Sequence, residues 1–187
     1  DPAPGRQDGG HHGLRPTHLD SHQHVHALPG IAQLVMGLSD RYRIPFVRVP
    51  VEAPRIDRPL NARAASRWAG AMALRTSWTL ARLAGARRAA SRSLRFLGFT
   101  EGGRLDQRRL RRLIRELRPG RTYELMCHPG FAPEEPDIQR WRYRHEQELQ
   151  ALASVGIRSE IAARGIALCS FRSLIQPELF GRRRDGG

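Results

Sequence analysis

The sequence predicts an α/β fold built on a parallel sheet or a (β/α) barrel. Three observations carry that prediction. Short alternating or β-branched runs at 17–25, 44–50, 122–127 and 166–170 are separated by helix-prone stretches, and strands separated by helices favour parallel pairing. A chain of 187 residues with 40% apolar side chains can supply one core. No apolar run approaches the roughly 18 residues that a membrane-crossing helix needs. Four strands are too few to close an eight-stranded barrel.

The elements follow in order. Residues 1–15 hold Pro, Gly, Asp and His without periodicity and read as a disordered lead-in. From Thr17 to Val25 the residues alternate, and His26-Ala-Leu-Pro-Gly30 closes the run: a strand, then a turn. Ile31, Leu34, Val35 and Leu38 form a helical stripe. Ile44 to Pro50 reads as a second strand with Pro at both ends.

Residues 61–99 are Ala/Arg-rich and predict one long helix or two, with Gly70 and Gly85 as weak points. Trp68, Met72, Leu80, Leu83, Leu94 and Leu97 are the expected apolar anchors. Between Arg104 and Arg118, Leu105, Leu110, Leu113, Ile114 and Leu117 make a clear stripe that Pro119-Gly120 ends. Thr122 to Cys127 is the third expected strand, with His128-Pro-Gly130 turning at its C-terminal end. An acidic loop at 133–137 leads to a helix over 141–154 and a short one over 159–164. Ile166 to Ser170 is the last expected strand, and 176–187 an Arg/Gly tail. The single domain is thus expected over 16–175.

Of the charged side chains, 32 are basic and 18 acidic, a formal charge of +14. Every basic residue is Arg. With Ala, Gly and Pro also abundant, this points to a coding bias over an ordinary globular domain more than to a phosphate-binding arm. The rival reading is a non-enzymatic module whose Arg-rich helices at 61–118 hold nucleic acid or an anionic surface. Those helices carry apolar stripes, and aromatic residues do not interleave with the Arg, so nucleic acid is not expected. Cys127 and Cys169 lie in apolar runs without CxxC spacing and read as buried, reduced thiols. The segment 1–10 shows no secretory apolar stretch, and the expected location is the cytoplasm.

Chemistry concentrates in Thr17-His-Leu-Asp-Ser-His-Gln-His-Val-His26. On a strand, His18, Asp20, His22, His24 and His26 would share a face, with Leu19 and Val25 opposite. Imidazole and carboxylate are ligands for divalent cations, and a carboxylate can also orient a ligand imidazole. The roughly 6.6–7 Å between i and i+2 positions lets only one or two of them reach a single ion, so another ligand must come from elsewhere. The alternative is an exposed His-rich tract. His128, at a strand end before a sharp turn, is placed as a general acid or base would be; the alternative is hydrogen bonding within the turn. Arg48 interrupts an apolar strand and suits a polar substrate oxygen, or else an ion pair. His11, His12 and His145 read as surface residues.

These residues carry a resemblance. Pro16 to His26 followed by an apolar helix, Ile44 to Pro50 with Arg48, Glu124-Leu-Met-Cys-His-Pro-Gly-Phe131, and Gly165 to Phe171 resemble in order the YdjC-like carbohydrate deacetylases. That family includes chitooligosaccharide deacetylases and a hopanoid-biosynthesis-associated branch, to which Phe96 to Asp106 is closer. The resemblance implies an incomplete distorted (β/α) barrel lacking its first strands. It also implies removal of an N-acetyl group from an amino sugar with a divalent metal ion, Mg or Zn. It makes His22 the metal ligand, Asp20 a supporting catalytic carboxylate, His128 a proton donor or acceptor, and Arg48 a substrate contact. Family members begin with a strand bearing Asn-Ala-Asp-Asp-Phe-Gly and carry a second ligand His before Leu-Thr. Neither motif occurs here, so the resemblance implies an N-terminally truncated member with weakened metal affinity. The expected partner is an acetylated amino-sugar substrate, and a homodimer is compatible with it.

Overall fold

The computed structural model describes residues 15–52, 62–86, 94–132, 134–139 and 141–176. Apart from Arg15 and Gln176, the lead-in with His11 and His12 and the C-terminal tail lie outside the described residues. The chain divides into two compact units. Of the described residues, the first unit holds 15–49, 76–86 and 169–176, and the second 50–52, 62–75, 94–132, 134–139 and 141–168.

In the first unit, β1 (His18–Leu19) pairs in parallel with β2 (Phe46–Val47), His18 opposite Phe46 and Leu19 opposite Val47. The strand expected over 17–25 is therefore only two residues long. A 3-10 segment, His22–Ala27, replaces the rest, and within it Gln23 (φ 52°) and His24 (φ 58°) adopt left-handed backbone. That conformation ends the alternation of a strand, so His22, His24 and His26 do not form a ladder with His18 and Asp20.

Helix α1 (Ile31–Arg41) packs against the 3-10 segment and β2. It buries Ala32, Met36 and Ser39, whose Oγ donates to the Ile44 carbonyl at 2.7 Å. The expected stripe faces outward instead: Ile31, Leu34 and Leu38 are exposed. Gln33 Nε2 donates to the Ala84 carbonyl at 2.8 Å and Ser77 Oγ to the Ala27 carbonyl at 2.8 Å. Ala27, Phe46, Val47, Trp78 and Ala81 are buried in this unit, and the half-buried Phe171 ring lies 5.2 Å from that of Phe46. Phe171 opens α7 (Phe171–Ile175), which is capped by Ser170. The stretch 166–170 is not a strand: it is irregular, Leu168 and Cys169 are exposed, and no strand among the described residues pairs with it. Cys127 is half-buried and Cys169 exposed, so the burial expected of both thiols fails at Cys169, and neither forms a disulfide.

Helix α2 (Ala62–Leu83) contributes to both units and runs unbroken through Gly70. Its buried positions are Ala71, Trp78 and Ala81, while the expected anchors Trp68, Leu80 and Leu83 are exposed. The helical reading also overran at its end. Arg95–Leu97 is a strand, β3, so Leu97 packs as a strand residue and 87–93 lies outside the described residues.

In the second unit, β3 pairs in parallel with β4 (Tyr123–Leu125), Leu97 opposite Leu125. Helix α3 (Gln107–Glu116) is N-capped by Asp106, whose carboxylate accepts from Arg109 N at 2.8 Å. After α4 (Pro136–Gln139) come α5 (His145–Leu152) and α6 (Val155–Ala163), both packed on α3. Leu105, Leu110, Leu113, Ile114, Ala151 and Ile157 form the core, with Leu125, Cys127, Ile161 and Ile166 against it. The α3 stripe thus packs as its spacing predicts, except that Leu117 caps the helix end. The loop after β3 is held by buried Glu52, which accepts from Gly98 N (3.3 Å), Thr100 N (2.9 Å) and Thr100 Oγ1 (3.1 Å). The architecture among the described residues is mixed α/β with two separate two-stranded parallel sheets and no closed barrel.

Candidate functional site

The first unit brings together two of the four residues that the sequence singles out. Asp20 follows β1 and Arg48 follows β2, so parallel pairing sets both at the same end of the sheet. Arg48 Nη1 lies 2.6 Å from Asp20 Oδ2. His22 opens the 3-10 segment two residues beyond Asp20 and is exposed. His24 and His26 are buried.

The tautomer of His26 follows from its partners. Nε2 lies 2.9 Å from the Arg48 carbonyl, which can only accept, so Nε2 carries the proton. Nδ1 must then accept the Ser21 hydroxyl at 2.6 Å, while Ser21 Oγ accepts from His26 N at 3.0 Å. Both ring nitrogens are thereby used in fastening the 3-10 segment to β2. His26 is a structural residue. His18 stacks on Phe171, with ring centroids 4.1 Å apart and planes 15° from parallel.

The second unit holds His128 just beyond β4. The backbone N–H of His128 donates to Glu148 Oε2, and its carbonyl accepts from His145 Nδ1 at 2.7 Å. Glu148 is fully buried, and its other oxygen accepts from Leu105 N at 2.9 Å. The Tyr143 ring lies 4.6 Å from the His128 ring and 5.7 Å from that of His145. Burial raises the Tyr143 phenol above its usual 10.0, and the Glu148 charge adds to the rise. A cavity of about 360 Å³ opens beside these residues, lined by Gln139, Tyr143, Arg144, His145, Glu146 and Gln147 among others.

His145 corrects the surface reading of its sequence neighbourhood. It is the first residue of α5, not a mid-helix residue, and its ring turns inward onto the His128 peptide. Sequence reasoning also passed over Glu148 and Tyr143. One signal was available for Glu148: it stands three residues before Ala151 on the face of α5 that meets the core, and a carboxylate there needs dedicated partners.

Among the described residues, no three His, Cys, Asp or Glu side chains converge as a metal centre requires. Asp20 is committed to Arg48 and His26 to Ser21 and β2. The described residues therefore do not make up a complete metal centre.

Comparison with known proteins gives these residues a context. The family model described as "YdjC-like protein" matches residues 10–163. The chain is 31% identical to a carbohydrate deacetylase of Mus musculus over 183 residues, covering 87% of this chain and 56% of the relative. It is 30% identical to a carbohydrate deacetylase of Geobacillus stearothermophilus (86% and 52% covered). It is 31% identical to a chitooligosaccharide deacetylase of Klebsiella pneumoniae (strain 342), with 87% and 54% covered. The chain thus spans about half the length of these relatives. No solved structure matches it significantly. With its family model covering most of the sequence, the chain belongs to the YdjC-like protein family.

Proposed function

We propose that this protein is a carbohydrate deacetylase that removes the N-acetyl group from an amino sugar, free or glycolipid-linked. The observation that carries the reading is His128, set by backbone contacts at the C-terminal end of a parallel strand in a chain whose relatives are named deacetylases. That end of a parallel strand is where α/β enzymes gather their chemistry. An incomplete distorted (β/α) barrel goes with the same reading and is supported by the parallel pairing within each unit taken by itself.

In amide hydrolysis, water adds to the acetyl carbonyl and the C–N bond breaks. The products are acetate and the free amine. His128 protonates the departing nitrogen, so that an amine rather than an amide anion leaves. Arg48, oriented by Asp20, holds a polar oxygen of the substrate, and Asp20 in turn keeps that guanidinium in place. The cavity beside Tyr143, with its amide, carboxylate and guanidinium lining, receives a sugar ring. A divalent cation, magnesium or zinc, belongs to the proposal with His22 as one ligand. Because the described residues do not complete its coordination, no step is assigned to it. A cytoplasmic location goes with the same reading and is supported by two cysteines that form no disulfide.

Acetate release from N-acetylated chitooligosaccharides tests the proposal. His128→Ala should slow release by about 100-fold or more, and a chelator should abolish it. Release that is unchanged in His128→Ala would overturn the assignment.

A further inference from the structure

We propose that His145 and Glu148, on the first turn of α5, are the positioning residues that hold His128 at its working place, by gripping its backbone on both sides. The inference rests on the reading of His128 as the proton-transfer group. The two residues stand three apart on a helix and so share a face. Through that face a single turn of α5 takes the N–H of His128 on the Glu148 carboxylate and its carbonyl on His145 Nδ1.

Each partner is suited to this task. Glu148 is fully buried, and its second oxygen is committed to Leu105 N, so its carboxylate cannot swing away. The proton of His145 must sit on Nδ1, because the carbonyl that it meets can only accept. Its Nε2 is buried and makes no hydrogen bond among the described residues. Leaving one side of an imidazole unsatisfied inside a protein costs free energy, and the hydrogen bond to His128 is what the residue supplies in return. Tyr143 closes the third side. Its ring lies against that of His128, and behind it Gly103 leaves room that no other residue could: an added Cβ would fall 2.1 Å from the Tyr143 ring.

The two bonds fix the peptide from which the His128 side chain projects, without occupying its ring. A nitrogen that must meet a departing amine within hydrogen-bond reach gains from such fixing, since small misplacements of a catalytic group cost large factors in rate.

The experiment compares His145→Leu, His145→Asn and Glu148→Gln in the intact protein. The readouts are kcat and KM for acetate release, together with the His128 ring resonances and their titration by NMR. The Asn amide can present an N–H where Nδ1 stands, and Leu cannot. His145→Leu should lower kcat by about 10- to 100-fold with KM little changed, and move the His128 resonances. His145→Asn should restore most of both. Glu148→Gln should displace the His128 titration downward, because a neighbouring negative charge is lost. If it does not fold, the His145 pair still decides.

A folded His145→Leu protein with wild-type kcat and unmoved His128 resonances would overturn the proposal. So would His145→Asn behaving no better than Leu. If His128→Ala leaves acetate release intact, the deacetylase reading fails separately, and the resonances still decide whether His145 and Glu148 position His128.

Discussion

Two side chains show how little of a residue's role lies in its type. His22 and His26 stand four apart in one motif, yet one is exposed and the other is buried with both ring nitrogens engaged. Ser21→Ala removes the acceptor for His26 N and the donor to its ring, so it should cost about 1–3 kcal/mol in denaturant unfolding. Tyr143 gives a second expectation. Its phenol is raised above 10.0, chiefly by burial, so the unfolded chain loses that proton first as pH rises. Its contribution to stability is full below the ordinary tyrosine value and declines as pH climbs through the raised one. A phenolate absorbance titration should find one of the three tyrosines ionising late, and Tyr143→Phe should remove that phase.

At the scale of the element, the loop after β3 shows what backbone geometry demands. Gly98 has φ +103°, and a Cβ there would fall 2.3 Å from the carbonyl oxygen of Met126, which lies between β4 and His128. Gly98→Ala should therefore destabilise by about 2–4 kcal/mol, read as a lowered unfolding midpoint. Legibility varied among the elements for physical reasons. Helix α3 was readable because its large aliphatics and its cap agree: Leu110, Leu113 and Ile114 are buried and Asp106 closes the first turn. In α2 the buried face is mostly alanine, which periodicity cannot tell from filler, so the larger Leu80 and Leu83 misled. The alternation at 17–25 imitated a strand because polar and apolar residues happened to alternate through a 3-10 segment. Asp20, His22, Arg48 and His128 were all legible as chemistry-bearing types, and an ion pair at Arg48 was open as an alternative, though not that Asp20 would be its partner. The grip of α5 on His128 was not, because backbone hydrogen bonds leave no mark on residue spacing.

At the scale of the molecule, the charge of +14 needs weighing against its partners. Arg111, Arg115 and Arg164 all meet Glu160, and Arg109 meets Asp106 and Glu101. Glu101 is buried and Glu160 largely covered while the arginines reach solvent, and these pairs partly neutralise the helix face that a nucleic acid would need. A gel shift against RNA should accordingly show no retardation that survives physiological salt. Retardation persisting there would favour the rival binding module. The helices offer no candidate for crossing a membrane among the described residues.

The left-handed pair Gln23 and His24 carries a cost that the sheet pairing does not show. Side chains other than glycine in that conformation each store on the order of 1–2 kcal/mol of backbone strain. That strain lies in the turn between exposed His22 and buried His26. Glycine at position 23 would relieve it. Gln23→Gly should raise stability by about 1 kcal/mol and, with the hinge relaxed, let His22 wander. A chain that melts later and works less well would mark this turn as a place where rigidity is held against the preference of the backbone.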